Sequence, residues 1–153
     1  MAEETVLAIR LSIHIDAPPE TVWRAFTTQE AWRGWFHEGV EIEPRLGGNF
    51  RIAGVHEKDP YVFVGRVVAF DPPSEFRVSW SPDPSRYEGE SRVGFRLEPE
   101  GSGTRVELVH DGWENVPEPF RTREFQGFSR GWSVDDELAR LKRLVEQDTR
   151  AWA

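Results

Sequence analysis

Residues 13–36 read Ile13-His-Ile-Asp-Ala-Pro-Pro-Glu-Thr-Val-Trp-Arg-Ala-Phe-Thr-Thr-Gln-Glu-Ala-Trp-Arg-Gly-Trp-Phe36. The stretch opens at the end of a longer alternation, Val6 to Ile15. Ile9, Leu11, Ile13 and Ile15 fall on one face of it, and Arg10, Ser12 and His14 on the other. A period of two marks a half-buried strand. Asp16 is placed to cap a helix, and Pro18 and Pro19 suit its first turn, where amide donors lack intrahelical partners anyway. That short helix carries Val22, Trp23 and Phe26. Thr28 then caps a second short helix carrying Trp32, Trp35 and Phe36. A strand followed by two short, heavily aromatic helices is the expected opening of this fold.

Working outward, Gly39 ends the helical region and Val40 to Glu43 resumes as a strand. Leu46-Gly47-Gly48 is a turn, because paired glycines supply the positive φ angles that tight turns require. No helix pattern or Lys-Ser/Thr follows it, so a phosphate cradle is not indicated. Phe50 and Ile52 share a strand face, Lys58-Asp59-Pro60 is expected to turn the chain, and Tyr61 to Phe70 reads as a long strand. Pro72-Pro73 reverses it into Phe76, Val78 and Trp80. A polar loop over Pro82 to Gly89 leads to the alternation Val93, Phe95, Leu97. A flexible turn over 98–103 then leads to Val106, Leu108 and His110. Asp111 to Gln126 is irregular, with Pro117 and Pro119 among Trp113, Phe120 and Phe125, and reads as a long aromatic loop closing over the sheet. Last comes one long helix from about Phe128 to Arg150. Its apolar stripe is Val134, Leu138, Leu141 and Val145, widened by Leu144.

The chain has 153 residues, which fits a single domain over 1–153. A domain this size buries about 68–70% of the surface its unfolded chain exposes, enough for a stable core. There is no cysteine, so neither disulfides nor thiolate chemistry is available, and a cytoplasmic setting fits that composition. The start, Met-Ala-Glu-Glu-Thr, is acidic where a signal peptide would be basic. No apolar run is long enough to span a membrane. The net charge of −8, with basic residues interspersed among acids, argues against a nucleic-acid partner. Seven tryptophans and ten phenylalanines either fill a thick core or wall a pocket for a flat or greasy ligand.

Catalytic readings begin from four histidines. His14 is expected to face solvent, His37 to sit at a pocket rim beside Trp35-Phe36, and His56 to lie near a turn. His110 shares parity with Val106 and Leu108 and should point inward. There it could orient a ligand or act as a general acid or base, or it could be a hydrogen-bonded core histidine. Glu107 and Asp111 flank it but fall on the opposite face. No His-x-x-x-His, His-Glu-x-x-His or Gly-x-Ser-x-Gly motif occurs, so no metal site and no nucleophilic triad is expected. Asp135-Asp136-Glu137 complements the positive end of a helix dipole.

Several of these pieces, in order, resemble the SRPBCC or START-like superfamily, and within it the activators of the heat-shock chaperone ATPase in their C-terminal-domain-like branch. The matching residues are Ile13, Ile15, Ala17 to Pro19, Val22, Trp23, Ala25, Phe26, Trp32, Trp35 and Phe36. Leu46 to Phe50, Gly65 to Val68 and Asp71 to Pro73 follow. The last are Gly103 to Leu108 with His110, Gly112-Trp113, and Gly131-Trp132 opening a helix with Leu138, Leu141 and Leu144. The resemblance implies an α+β helix-grip fold: a curved antiparallel sheet of about six or seven strands around a long C-terminal helix, with two short N-terminal helices.

It also implies a mostly apolar cavity between sheet and C-terminal helix. By parity and position the lining is expected from Trp35, Phe36, Phe50, Trp80, Phe95, His110, Trp113, Phe128 and Trp132. Binding of a small hydrophobic, aromatic or lipid-like molecule there, with no cofactor, is the first functional expectation. The second implied role is a co-chaperone that stimulates a chaperone ATPase, although family activators carry a separate N-terminal chaperone-binding domain for which this length leaves no room. A cyclase, dehydratase or hydrolase is the third, and it would need a polar partner for His110. A monomer or a homodimer is compatible with the acidic helix faces and an edge strand.

Overall fold

The computed structural model describes residues 7–82 and 87–152, with the side chain of His56 and those from 148 onward outside the description. Met1 to Val6 and the middle of the loop expected over Pro82 to Gly89 therefore lie outside the described residues. Seven strands form one antiparallel sheet: β1 (Ile9–Ile15), β2 (Val40–Ile42), β3 (Asn49–His56), β4 (Asp59–Asp71), β5 (Glu75–Pro82), β6 (Ser91–Glu100) and β7 (Gly103–Asp111). Their spatial order is β1-β7-β6-β5-β4-β3-β2. All neighbours except β1 and β7 are joined by short connections, so only the first strand has to find a distant partner. It does so in register from Ile9 opposite His110 to Ile15 opposite Thr104. The register of β4 shifts between Val67 and Ala69, an irregularity of the kind that bends a strand.

The period-two faces hold in the sheet. Val93, Phe95 and Leu97 of β6 and Val106, Leu108 and His110 of β7 are buried, whereas Arg92, Arg96 and Glu98 are exposed. Gly47 takes φ +79°, the left-handed region that its turn between β2 and β3 requires. The next hairpin turns one residue earlier than Lys58-Asp59-Pro60. Glu57 and Lys58 are its two central residues, both at positive φ, and His56 pairs with Asp59. Positive φ at both positions gives the twist that a two-residue hairpin needs, so Asp59 and Pro60 already belong to β4.

On one face of the sheet lie α1 (Pro19–Trp23), continued by a 3-10 turn over Arg24–Phe26, then α2 (Gln29–Trp35) and α4 (Ala139–Trp152). Thr28 caps α2 by accepting from the Ala31 amide at 3.1 Å. Asp16 does not cap α1. The N-cap is Pro18, and the Asp16 carboxylate accepts instead from His14, which also holds Glu100. An N-cap Asp16 would have accepted from the amides two or three residues on, and these are Pro18 and Pro19, which have no N–H to give.

The centre of the core is a cluster of aromatic rings around Phe26. Phe26 packs on Trp32 and Trp35 at 5.3 and 5.2 Å between ring centres, and on Phe76 and Phe95 from the sheet. The indole N–H of Trp32 donates to the Phe26 carbonyl at 3.0 Å, and that of Trp35 to the Ala25 carbonyl at 2.9 Å. Two fully buried tryptophans thus leave no polar atom stranded. Leu138, Leu141 and Val145 close the far side of the same cluster. Arg140 binds the C-terminal end of α2, donating through Nε to the Trp35 carbonyl at 2.9 Å, where a cation suits the exposed carbonyls.

The chain after β7 departs from the sequence expectation. The aromatic stretch is not a loop throughout: a 3-10 turn at Trp113–Asn115 leads to α3 (Phe120–Gly131). The long helix expected from Phe128 to Arg150 is broken at Trp132 and Ser133, where the backbone is extended. A π turn, Val134–Leu138, then feeds α4. Ser133 restarts the helix by accepting from the Asp135 amide at 3.1 Å, while Glu137 accepts from the Ser133 amide at 3.1 Å. This reciprocal capping makes two separate helices preferable to one continuous rod.

Candidate functional site

The space between the sheet and α4 is filled by the core just described. The open volume lies to its side, beneath α3. There Phe36 and His37 at the end of α2, Ile52 of β3, Tyr61 and Phe63 of β4 and Trp80 of β5 face Glu124, Gly127, Phe128 and Gly131 of α3, with Trp132 and Glu137 beyond it. These groups line a cleft of about 370 Å³. Its floor is buried (Phe36, Ile52, Phe63, Trp80), and its α3 side reaches solvent at Gly127 and Gly131.

Of the nine residues expected to line a cavity, Phe36, Trp80, Phe128 and Trp132 do so. Trp35, Phe50 and Phe95 are packed in the main core, and Trp113 in a second cluster with Ile9, Tyr87 and Val116. That second cluster anchors α3: Phe120 stacks on Tyr87 at 4.9 Å and Phe125 meets Trp113 edge-on at 5.5 Å. None of the residues of α3 is itself fully buried, so the helix is attached along one side only.

His110 sits one layer behind the wall, fully buried. The Trp132 indole N–H donates to its Nδ1 at 3.0 Å, and Ser91 Oγ lies 2.8 Å from its Nε2. An indole nitrogen can only donate, so Nδ1 is the acceptor, Nε2 carries the ring hydrogen, and that hydrogen goes to Ser91. Burial lowers the His110 pKa to about 3, which keeps the ring neutral. Both nitrogens are committed, and neither is presented to the cleft. What His110 does for the wall is hold the Trp132 indole plane in place.

The polar groups of the cleft are ones that aromatic parity did not single out. Tyr61 Oη is 3.1 Å from His37 Nε2, and His37 Nδ1 accepts from the Gly39 amide at 2.8 Å. The same donor logic puts the His37 hydrogen on Nε2, donating to Tyr61, and leaves the phenol hydrogen of Tyr61 for another acceptor. Burial raises the Tyr61 pKa, so the phenol stays protonated. Trp80 is almost wholly buried, and among the described residues its Nε1 is the buried side-chain polar atom without a hydrogen-bond partner. The signals for this set were slight: Tyr61 and Phe63 alternate on β4 opposite Gly54 and Ile52, and Gly127 and Gly131 are four apart where the expected long helix begins.

Among the described residues no group of three or more His, Asp or Glu side chains is placed to hold a metal ion, and no helix is long and apolar enough to cross a membrane. No curated protein matches the chain. Solved structures do. Protein MLL2253 from Mesorhizobium loti is 24% identical, with a TM-score of 0.71, over 92% of this chain and 97% of that one. CalU16 from Micromonospora echinospora is 26% identical, with a TM-score of 0.62, over 95% and 85%. The Aha1 dimer from Colwellia psychrerythraea is 20% identical, with a TM-score of 0.60, over 91% and 96%. The family model described as "Activator of Hsp90 ATPase homolog 1-like protein" matches residues 16–146, in agreement with the helix-grip arrangement of sheet and helices. A match over that much of the chain settles the matter: this chain belongs to the Activator of Hsp90 ATPase homolog 1-like family.

Proposed function

We propose that the protein binds a small hydrophobic ligand in the cleft beneath α3. The observation that carries this reading is that the molecule packs its main core densely yet leaves the wall beneath α3 open where side chains would close it. Gly127 and Gly131 both line the cleft, and a Cβ at either would meet no atom within 4 Å. Much of the remaining wall is ring surface: Phe63 stacks on Trp80 at 5.1 Å and Phe128 on Trp132 at 5.9 Å. Rings held by their neighbours present flat apolar surface at little entropic cost. A ligand burying roughly 200 Å² of apolar surface there would gain about 5 kcal/mol before the cost of association.

Native mass spectrometry of the purified protein, together with equilibrium dialysis against a panel of apolar aromatic compounds, tests the reading. Retained mass or saturable uptake that falls about tenfold or more in Gly127→Leu is expected, because that side chain projects from the cleft wall into open space. Uptake by wild type and variant alike, or by neither, overturns it. A second reading, stimulation of a chaperone ATPase, is favoured by the family description and by the relative named Aha1. Unchanged ATP turnover by Hsp90 in the presence of this protein would retire that reading.

A further inference from the structure

The polar atoms of the cleft restrict the chemistry of what it can hold. Resting on the ligand-binding reading above, we propose that the ligand is an uncharged, flat, polycyclic molecule bearing a carbonyl-type acceptor, and that the cleft turns away carboxylates and phosphates.

Two observations support this. The first is Tyr61, which lines the cleft and whose hydroxyl receives the His37 hydrogen and keeps its own to give. Its ring and that of Trp80 each contact Phe63, at 6.1 and 5.1 Å, so this donor sits beside a run of apolar rings. A single donor beside apolar rings suits an acceptor on a flat frame.

The second observation is charge. The lining contains the carboxylates Glu124 and Glu137 and no lysine or arginine. Arg140 lies behind Glu137 at 3.8 Å, but its Nε and Nη2 donate to the carbonyls of Trp35 and Phe36. A ligand anion would enter a half-apolar cleft with acid at its edge, in a chain of net charge −8, and would lose its hydration without gaining a cation. A neutral ketone or quinone-like oxygen carries no such penalty.

The test compares three probes of one ring system by equilibrium dialysis at neutral pH: fluorenone, fluorene (the same frame without the oxygen) and fluorenone carboxylate. Fluorenone is expected to bind about threefold to tenfold more tightly than fluorene, the worth of one net hydrogen bond. In Tyr61→Phe the ratio of fluorenone to fluorene affinity shrinks, whatever the change in affinity for the hydrocarbon itself. Fluorenone carboxylate is expected to bind at least about tenfold more weakly than the ketone. The infrared carbonyl stretch of fluorenone bound to the wild-type protein, shifted down from its value in an alkane, reports the hydrogen bond without any variant. Fluorene binding as tightly as fluorenone, an unshifted carbonyl, a preference that survives Tyr61→Phe, or a carboxylate that binds as well as the ketone would each overturn the proposal while leaving the cleft a binding site. Failure of all three probes to bind would overturn both this proposal and the reading it rests on.

Discussion

Acid should destabilise this protein through His110, by an amount the structure allows to be worked out. The ring is fully buried and neutral, with Nδ1 accepting from Trp132 and Nε2 donating to Ser91, and burial lowers its pKa to about 3. In the unfolded chain the same imidazole titrates near its ordinary value of 6.5. Between those two values the unfolded state binds a proton that the native state refuses, so stability falls as pH falls. Each pH unit in that window is worth about 1.4 kcal/mol. From pH 7.5 to 5.5 most of the change lies below 6.5, and His110 alone should remove about 1.4 kcal/mol. Other groups titrate as well, so the measurement is a difference. His110→Gln keeps an acceptor for the Trp132 indole and a donor for Ser91 but carries no titrating group. Urea unfolding followed by tryptophan fluorescence at both pH values gives four stabilities. The wild-type loss should exceed the variant loss by about 1.4 kcal/mol, read from the shifts in urea midpoint at a common m-value. Equal losses in the two proteins would mean that His110 is protonated in the native state or titrates alike in both states, and would refute the account of it as a buried neutral anchor for Trp132.

Two further outcomes are expected. Phe26→Ala removes a fully buried ring that touches Trp32, Trp35, Phe76 and Phe95, and should cost about 3–5 kcal/mol in urea unfolding, because none of those rigid rings can collapse into the gap. Gly127→Ala, mid-helix in α3 and facing open space, should stabilise the protein by about 0.5–1 kcal/mol, read as a melting temperature raised by about 1–4 °C, and a lowered value would show that the glycine is needed for its backbone.

The strands, both N-terminal helices and most turns were legible in the sequence because each is dictated by neighbours in the chain. The alternation of Val93, Phe95 and Leu97 fixes a face, Thr28 offers a capping oxygen, and Gly47 supplies a positive φ, whatever the rest of the molecule does. Errors came where two local signals competed. Pro117 and Pro119 made the following residues read as loop, although Pro119 is the N-cap of α3 and Phe120, next to it, begins the first turn. The stripe Val134, Leu138, Leu141, Val145 suggested one long helix, whereas Ser133 followed by Asp135, Asp136 and Glu137 is a helix-start pattern that marks where α3 and α4 divide.

What the sequence by itself determined, then, is the set of elements and their buried faces, together with the presence of more aromatic side chains than a plain sheet-and-helix core requires. Which aromatics fill the core and which border a cleft was decided only by tertiary structure. Trp35 and Trp80 both read from the sequence as inward-facing aromatics, yet one donates to the Ala25 carbonyl inside solid packing and the other presents its ring to the cleft. The physical reason is that periodicity specifies a direction, whereas a void is what remains between surfaces from distant parts of the chain. Here it remains because α3, turned by the break at Trp132 and carrying Gly127 and Gly131, approaches β3, β4 and β5 without filling the gap.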